Sequence, residues 1–151
     1  MADRGAGPSG INLLSHTPAG YFVPFRSPRL EDLPRRKESF QFGKELWTGI
    51  LAHCQPRLII GIDHKTCKSV REIFSRQVGL QPSGSQRLET GWGEGTARSI
   101  SASLHEFIGE WNVRLLRLPH LSTYKFFSSD KCAERMESLL NEVTRGIWQT
   151  T

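Results

Sequence analysis

His53, Cys54, His64 and Cys67 are side chains of the types that ligate zinc. Their spacing matches no common finger, and Cys54 and Cys67 both fall on apolar helical faces, where free cysteine is usual. No metal site is expected from them. Gly91, Gly93 and Gly95 in GWGEGT form a glycine-rich stretch. No apolar strand immediately precedes it and no Gly-Lys-Ser/Thr ending follows, so the glycines suit a loop with positive φ or close packing better than a phosphate cradle. The chain also lacks a Gly-x-Ser-x-Gly elbow and a His-Glu-x-x-His helix, which argues against serine-hydrolase and zincin chemistry. His120 stands in a different context. It belongs to Pro119-His120-Leu121-Ser122, which leaves the C-terminal end of the strand-like run VRLLRL. Open α/β sheets place their ligand crevices at such ends. Pro119 fixes its own φ and restricts Leu118, so the exit of the loop is preset, and an imidazole there can donate one hydrogen bond to a ligand carbonyl.

The formal charge of the chain is +5, from 20 Lys and Arg against 15 Asp and Glu. That is compatible with a polyanionic partner without demanding one. Arg26, Arg29, Arg35, Arg36 and Lys37 gather around a turn, where they could meet phosphates or form a charged surface loop. Arg114 and Arg117 lie three apart in a strand, which points them to opposite faces and prevents them from forming one patch.

These residues need elements to hold them. Gly20 to Phe25 reads as a short strand, ended by Arg26-Ser27-Pro28, with Pro24 implying an edge position or a strand that finishes at Val23. Phe40 to Cys54 carries Phe40, Trp47, Ile50, Leu51 and Cys54 along one helical face, and Pro56 stops it. Arg57 to Ile62 is a continuous apolar run of strand length, the mark of a strand covered on both faces. Lys65 to Val78 is a second helix with Cys67, Val70, Phe74 and Val78 as its stripe, and Gly79 is its stop signal. Gln81 to Thr96 reads as a Gly- and Ser-rich loop. Ser99 to Phe107 alternates like a half-buried strand, with a helix as the second choice, and Val113 to Leu118 is another strand. Asp130 to Ile147 is a helix striped by Cys132, Met136, Leu139, Leu140, Val143 and Ile147, with Asp130 as N-cap. A buried strand between two helices predicts an α/β fold with an open, mostly parallel sheet flanked by helices, and with Leu58 to Ile62 central.

With 151 residues, 37% hydrophobic and 23% charged, the chain has the composition of one globular domain. Residues 1–19 read as a flexible tail and residues 20–151 as the domain. No apolar run approaches the roughly 20 residues that cross a bilayer, so no membrane partner is expected. Residues 1–10 lack the apolar core of a signal peptide, and 3 cysteines cannot all pair with one another. An intracellular location (cytoplasm, nucleoid or nucleus) with free thiols is expected.

The segment from Leu118 to Trp148, LPHLSTYKFFSSDKCAERMESLLNEVTRGIW, resembles the closing segment of the uracil-DNA glycosylase superfamily. His120, Leu121-Ser122-Thr123-Tyr124, Phe126-Phe127, the helix from Asp130 and Ile147-Trp148 carry the likeness. Upstream, GYFVPFRSPRL, FGKELWTGIL and PRLIIGID are similar to the middle of the same fold, so the resemblance spans roughly residues 20 to 148. It implies a three-layer domain that cleaves the N-glycosidic bond of an extruded base, or a descendant that only binds DNA or a nucleobase. It implies no cofactor. By this likeness His120 is the catalytic donor to the leaving base, Leu121 the wedge that fills the vacated space, and Ser122 a phosphate contact. Pro119, Tyr124, Lys125 and Arg26 complete the expected DNA-contacting set. The family's water-positioning Asp or Asn and its stacking aromatic are not found in residues 1–19. Neither Gly20 nor Tyr21 is the Asn that reads the uracil edge. The likeness therefore implies a shortened or degenerate member, incomplete at its N-terminus. An intracellular protein-interaction domain is the unrelated alternative.

Overall fold

A computed structural model of the protein describes residues 17–25 and 29–147. The chain divides into two compact units, residues 1–43 and 44–151. In the first, Phe22 and Leu33 are buried, and the rings of Phe22 and Phe40 lie 6.1 Å apart. A Cβ on Gly43 would stand 2.5 Å from the Phe22 carbonyl oxygen, so only glycine lets these backbones approach so closely. The strand expected over residues 20–25 does not form; the segment is irregular, with bends at Phe22, Val23 and Phe25. Pro24 has no N–H to give to a ladder, and burial of Phe22 takes the place of strand pairing. The expected turn at residues 26–28 lies outside the described residues.

The first helix, α1 (Arg36–Cys54), starts four residues before the apolar stripe does. Its first turn is polar, and Ser39 Oγ donates to the Pro34 carbonyl at 3.1 Å while Glu38 pairs with Arg35. It ends as expected before Pro56, with Gln55 in the left-handed region (φ 43°) and its N–H on the Leu51 carbonyl. Leu51 is buried, but Cys54 is exposed rather than on an apolar face.

The second unit is built on a sheet of four strands: β1 (Leu58–Ile62), β2 (Gln81–Glu89), β3 (Ser101–Ile108) and β4 (Val113–Leu118). Their order is β1-β4-β3-β2. Only β1 and β4 run parallel; β4 with β3 and β3 with β2 are antiparallel. The α/β class holds, with helices flanking the sheet, but the sheet is mixed and not mostly parallel. The reason is the connections: only residues 109–112 join β3 to β4, far short of the dozen or so a parallel crossover needs. Nor is β1 central. It occupies an edge, and Ile60 and Ile62 are 51% and 41% exposed. An unbroken apolar run does not distinguish a covered strand from an edge strand with one open flank.

The second helix, α2 (His64–Ile73), follows β1 and packs on one face of the sheet through Cys67, Val70 and Ile73. It continues into a π-helical turn, Phe74–Val78, closed by Gly79 in the left-handed region (φ 79°), which is the expected stop. Lys44 donates to Glu72 at 2.7 Å, and Thr48 bonds Gln77, tying the middle of α1 to this segment. The third helix, α3 (Ala133–Thr144), covers the opposite face, where Met136, Leu139 and Val143 meet Leu104, Leu116 and Leu118 around Phe126. A 3-10 turn, Asp130–Cys132, precedes it, so Asp130 opens that turn and Cys132 is the N-cap, without a side-chain bond.

β2 replaces the loop expected over residues 81–89. Its side chains are mostly polar and exposed, with a register shift between Pro82 and Gly84, so backbone pairing to β3 holds it. A polar, irregular outer strand resists pairing with other chains. The loop after it does carry positive-φ glycines, Gly91, Gly93 and Gly95 at 80°, 65° and 77°.

Candidate functional site

Pro119 is buried where β4 ends, and the Leu118 carbonyl accepts from the Asp63 N–H at 3.3 Å, so β1 and β4 end side by side. The chain then turns tightly: the N–H groups of Thr123 and Tyr124 both reach the His120 carbonyl, at 3.1 and 3.0 Å. His120 is exposed, and its Nδ1 lies 2.8 Å from Ser122 Oγ. With the Ser122 hydroxyl donating to Nδ1, the ring proton sits on Nε2, and the imidazole presents a donor to an outside acceptor. The structure thus brings His120, Ser122 and Lys125 to the surface of one loop. Leu121 and Tyr124 are half-buried against the α3-side core, Tyr124 edge-on to Trp92 at 6.2 Å. They anchor the loop from below. Phe127, 53% exposed beside the fully buried Phe126, is an aromatic at this surface to which sequence reasoning gave no separate role. Arg26 and Trp148 lie outside the described residues.

Asp63 is the carboxylate at the end of β1. Its φ of 123° is unusual for a residue with a Cβ, and the conformation aims both oxygens at the start of α2. Oδ1 accepts from the Thr66 N–H at 2.8 Å and Oδ2 from the Thr66 hydroxyl at 2.7 Å.

A second concentration of polar side chains lies on the α2 face of the sheet, in a groove of about 680 Å³. Lys68 and Arg71 line it from α2, Arg76 from the π turn, Ser103 and His105 from β3, and Arg117 from β4. Sequence reasoning missed this site, although the spacing of Lys68, Arg71, Ser75 and Arg76 on one helical face could have hinted at it. Arg114 and Arg117 do point to opposite faces. Arg114 binds Glu106 at 3.2 Å and caps the end of α3 through the Val143 and Arg145 carbonyls, at 2.9 and 2.6 Å. Arg117 donates to Ser103 Oγ at 3.0 Å, and Ser103 Oγ lies 3.3 Å from His105 Nε2. On the other side of the ring, His105 Nδ1 is 3.1 Å from Ser85 Oγ. Burial first, then the Arg71 and Arg117 charges, hold the His105 imidazole below the usual histidine range. Burial, reinforced by Asp63, pushes the neighbouring Cys67 thiol up to about 11.

Among the described residues no group of three or more His, Cys, Asp or Glu is placed to hold a metal ion, and no helix is long and apolar enough to cross a membrane. Comparison of the chain with protein-family models, with curated proteins and with solved structures finds no match.

Proposed function

We propose that this chain is a uracil-DNA-glycosylase-like domain that engages DNA or an extruded base through the loop from Pro119 to Lys125. The observation that carries the reading is the His120 ring, exposed at the C-terminal end of β4 and fixed at Nδ1 by Ser122. A ring held in this way offers Nε2 to a base carbonyl at little further ordering cost, which is the preorganisation that makes single donors effective. Ser122 and Lys125 stand beside it as phosphate contacts. In a base-excision reaction His120 would stabilise the charge that develops on the departing base. A non-catalytic DNA-binding module is the second reading, and Asp63 favours it: both oxygens of the carboxylate at the neighbouring strand end accept from Thr66, which turns them to the start of α2.

The test is titration of a uracil-containing oligonucleotide at rising salt, with base release followed in parallel and His120→Ala beside the parent. Binding should fall steeply with salt, because phosphate contacts release counterions. His120→Ala should weaken binding while melting at the parent temperature, since an exposed loop residue contributes little core area. Base release by the parent and not by the variant would identify the enzyme; binding without release would identify the module. A flat salt response, or equal binding by the variant, would refute both.

A further inference from the structure

We propose that the groove between α2 and β3 is a binding site for a phosphate ester, held by Arg71 and Arg117 with Lys68 and Arg76 around them. The site uses none of the His120 loop and does not rest on the reading of that loop. Its charge is one-sided. Four permanent cations line it against a single carboxylate, Glu72, which already accepts from Lys44 at 2.7 Å. Among the described residues none of the four cations forms a salt bridge. Exposed helix cations alone would be an ordinary solvated face, but Arg117 comes from the middle of the sheet and is half-buried. A half-buried guanidinium ordinarily sits opposite a carboxylate, as Arg114 sits beside Glu106 on the other face of the same strand. Arg117 has a hydroxyl instead.

The hydrogen-bond chain behind Arg117 explains what the groove has to offer. Ser103 Oγ accepts from Arg117 Nε and lies within hydrogen-bond distance of His105 Nε2, while His105 Nδ1 lies within hydrogen-bond distance of Ser85 Oγ. Arg117 is fixed through Nε, which leaves the terminal nitrogens of its fork for a ligand. The depressed basicity of His105 agrees with this picture: burial lowers it first, and the Arg71 and Arg117 charges both bear on the same ring. Planar guanidinium forks from two elements, with an ammonium alongside, match the several oxygens and the charge of a phosphate better than the two oxygens of one carboxylate. The groove exceeds what a bare phosphate fills, and Pro82 and Phe107 in its wall provide apolar contact for the organic part of an ester. The phosphate could belong to a mononucleotide or to a nucleic-acid backbone; the recognising chemistry is the same.

The experiment is calorimetric titration of the full chain with a deoxynucleoside 5′-monophosphate and, separately, with a single-stranded oligonucleotide lacking a terminal phosphate, while the ring signals of His105 are followed by NMR. Arg117→Gln, Arg71→Gln and Lys68→Gln are compared with Arg145→Gln, which lies outside the groove. Binding of at least one probe should shift the His105 signals. Each groove variant should weaken that binding about tenfold, the order lost with one charge-assisted contact, while Arg145→Gln leaves it intact. Lys68 is exposed, so its variant keeps the test valid if either arginine variant melts early. Tighter binding of the monophosphate would identify a monoester site, and tighter binding of the oligonucleotide a backbone site; either supports the proposal. Binding of neither probe, a loss as large in Arg145→Gln as in the groove variants, or unmoved His105 signals would overturn it.

Discussion

Gly61 decides how closely α2 approaches the sheet, and a single methyl group there tests the whole α2 face. A Cβ built on Gly61 would stand 2.3 Å from Cys67 Sγ and 4.0 Å from Leu115 Cδ1. Nonbonded heavy atoms rest about 3.5–4 Å apart, so Gly61→Ala requires the thiol, or α2 with it, to retreat by more than about 1 Å. Cys67 is 2% exposed and has nowhere to turn. Overpacking of this kind costs about 1–3 kcal/mol, and replacing glycine in a strand returns about 0.5–1 kcal/mol of backbone entropy. The net loss is about 0.5–2 kcal/mol, which for a chain of this size lowers the melting temperature by roughly 1–8 °C. Cys67→Ala removes the obstructing sulfur, and the Cys67 Cβ that remains is an ordinary 3.8 Å from the new methyl. The double variant should therefore melt no lower than Cys67→Ala alone, a coupling of about 0.5–2 kcal/mol in a double-mutant cycle. Because Lys68 and Arg71 ride on α2, phosphate affinity should fall in Gly61→Ala and return in the double variant. Additive losses across the cycle, or a parent-like melt for Gly61→Ala, would show that the sheet and α2 are not in the contact described.

The acid limb of stability should carry the signature of His105. Its folded-state basicity lies below the ordinary value of 6.5, so below about that pH the unfolded chain binds more protons, and stability is complete above it and declines as pH falls. Denaturant melts from pH 8 to 5 should show the decline, and His105→Gln should flatten it; a parent-like slope in the variant would reject the assignment. Thiol labelling of the folded chain near pH 8 should modify Cys54 alone, since Cys132 is buried and Cys67 is both buried and pushed up to about 11, and all three cysteines should react in denaturant. Arg114→Ala should destabilise by about 1–3 kcal/mol, because the Val143 and Arg145 carbonyls lose a charged donor, and Arg114→Lys should recover only part of it for want of a fork. Chemical denaturation measures both, and full recovery by lysine would refute the joint role of Nε on Glu106 and Nη1 on the two carbonyls.

The helices were legible in the sequence because each buries one stripe, and a stripe recurs every 3.6 residues whatever it packs against. Cys67, Val70 and Phe74 in α2 and its π turn, and Met136, Leu139 and Val143 in α3, are buried where periodicity put them. β3 was legible by alternation, β4 as a short apolar run, and the opposed directions of Arg114 and Arg117 by the two-residue repeat of a strand. The π turn was not: its extra residue leaves Phe74 on the apolar stripe and alters only the hydrogen-bond pattern. The irregular path of residues 20–25 and the strand β2 were misread for one reason. Strand pairing is made by backbone groups, whose partners local composition does not reveal: among the described residues apolar GYFVPF joins no strand ladder, while polar QPSGSQRLE pairs with β3. The edge position of β1 depended on which strand lies beside β4, a choice between segments more than 50 residues apart that no local pattern encodes. The loop from Pro119 to Lys125 could be located from the sequence, because proline and a strand end are local signals. The groove could not. Its residues come from positions 64 to 117, and only the packing of α2 on β1 and β4, with β3 antiparallel beside β4, sets Lys68, Arg71, His105 and Arg117 around one space. Local chemistry decides what each segment can become, and long-range backbone pairing decides which charges meet.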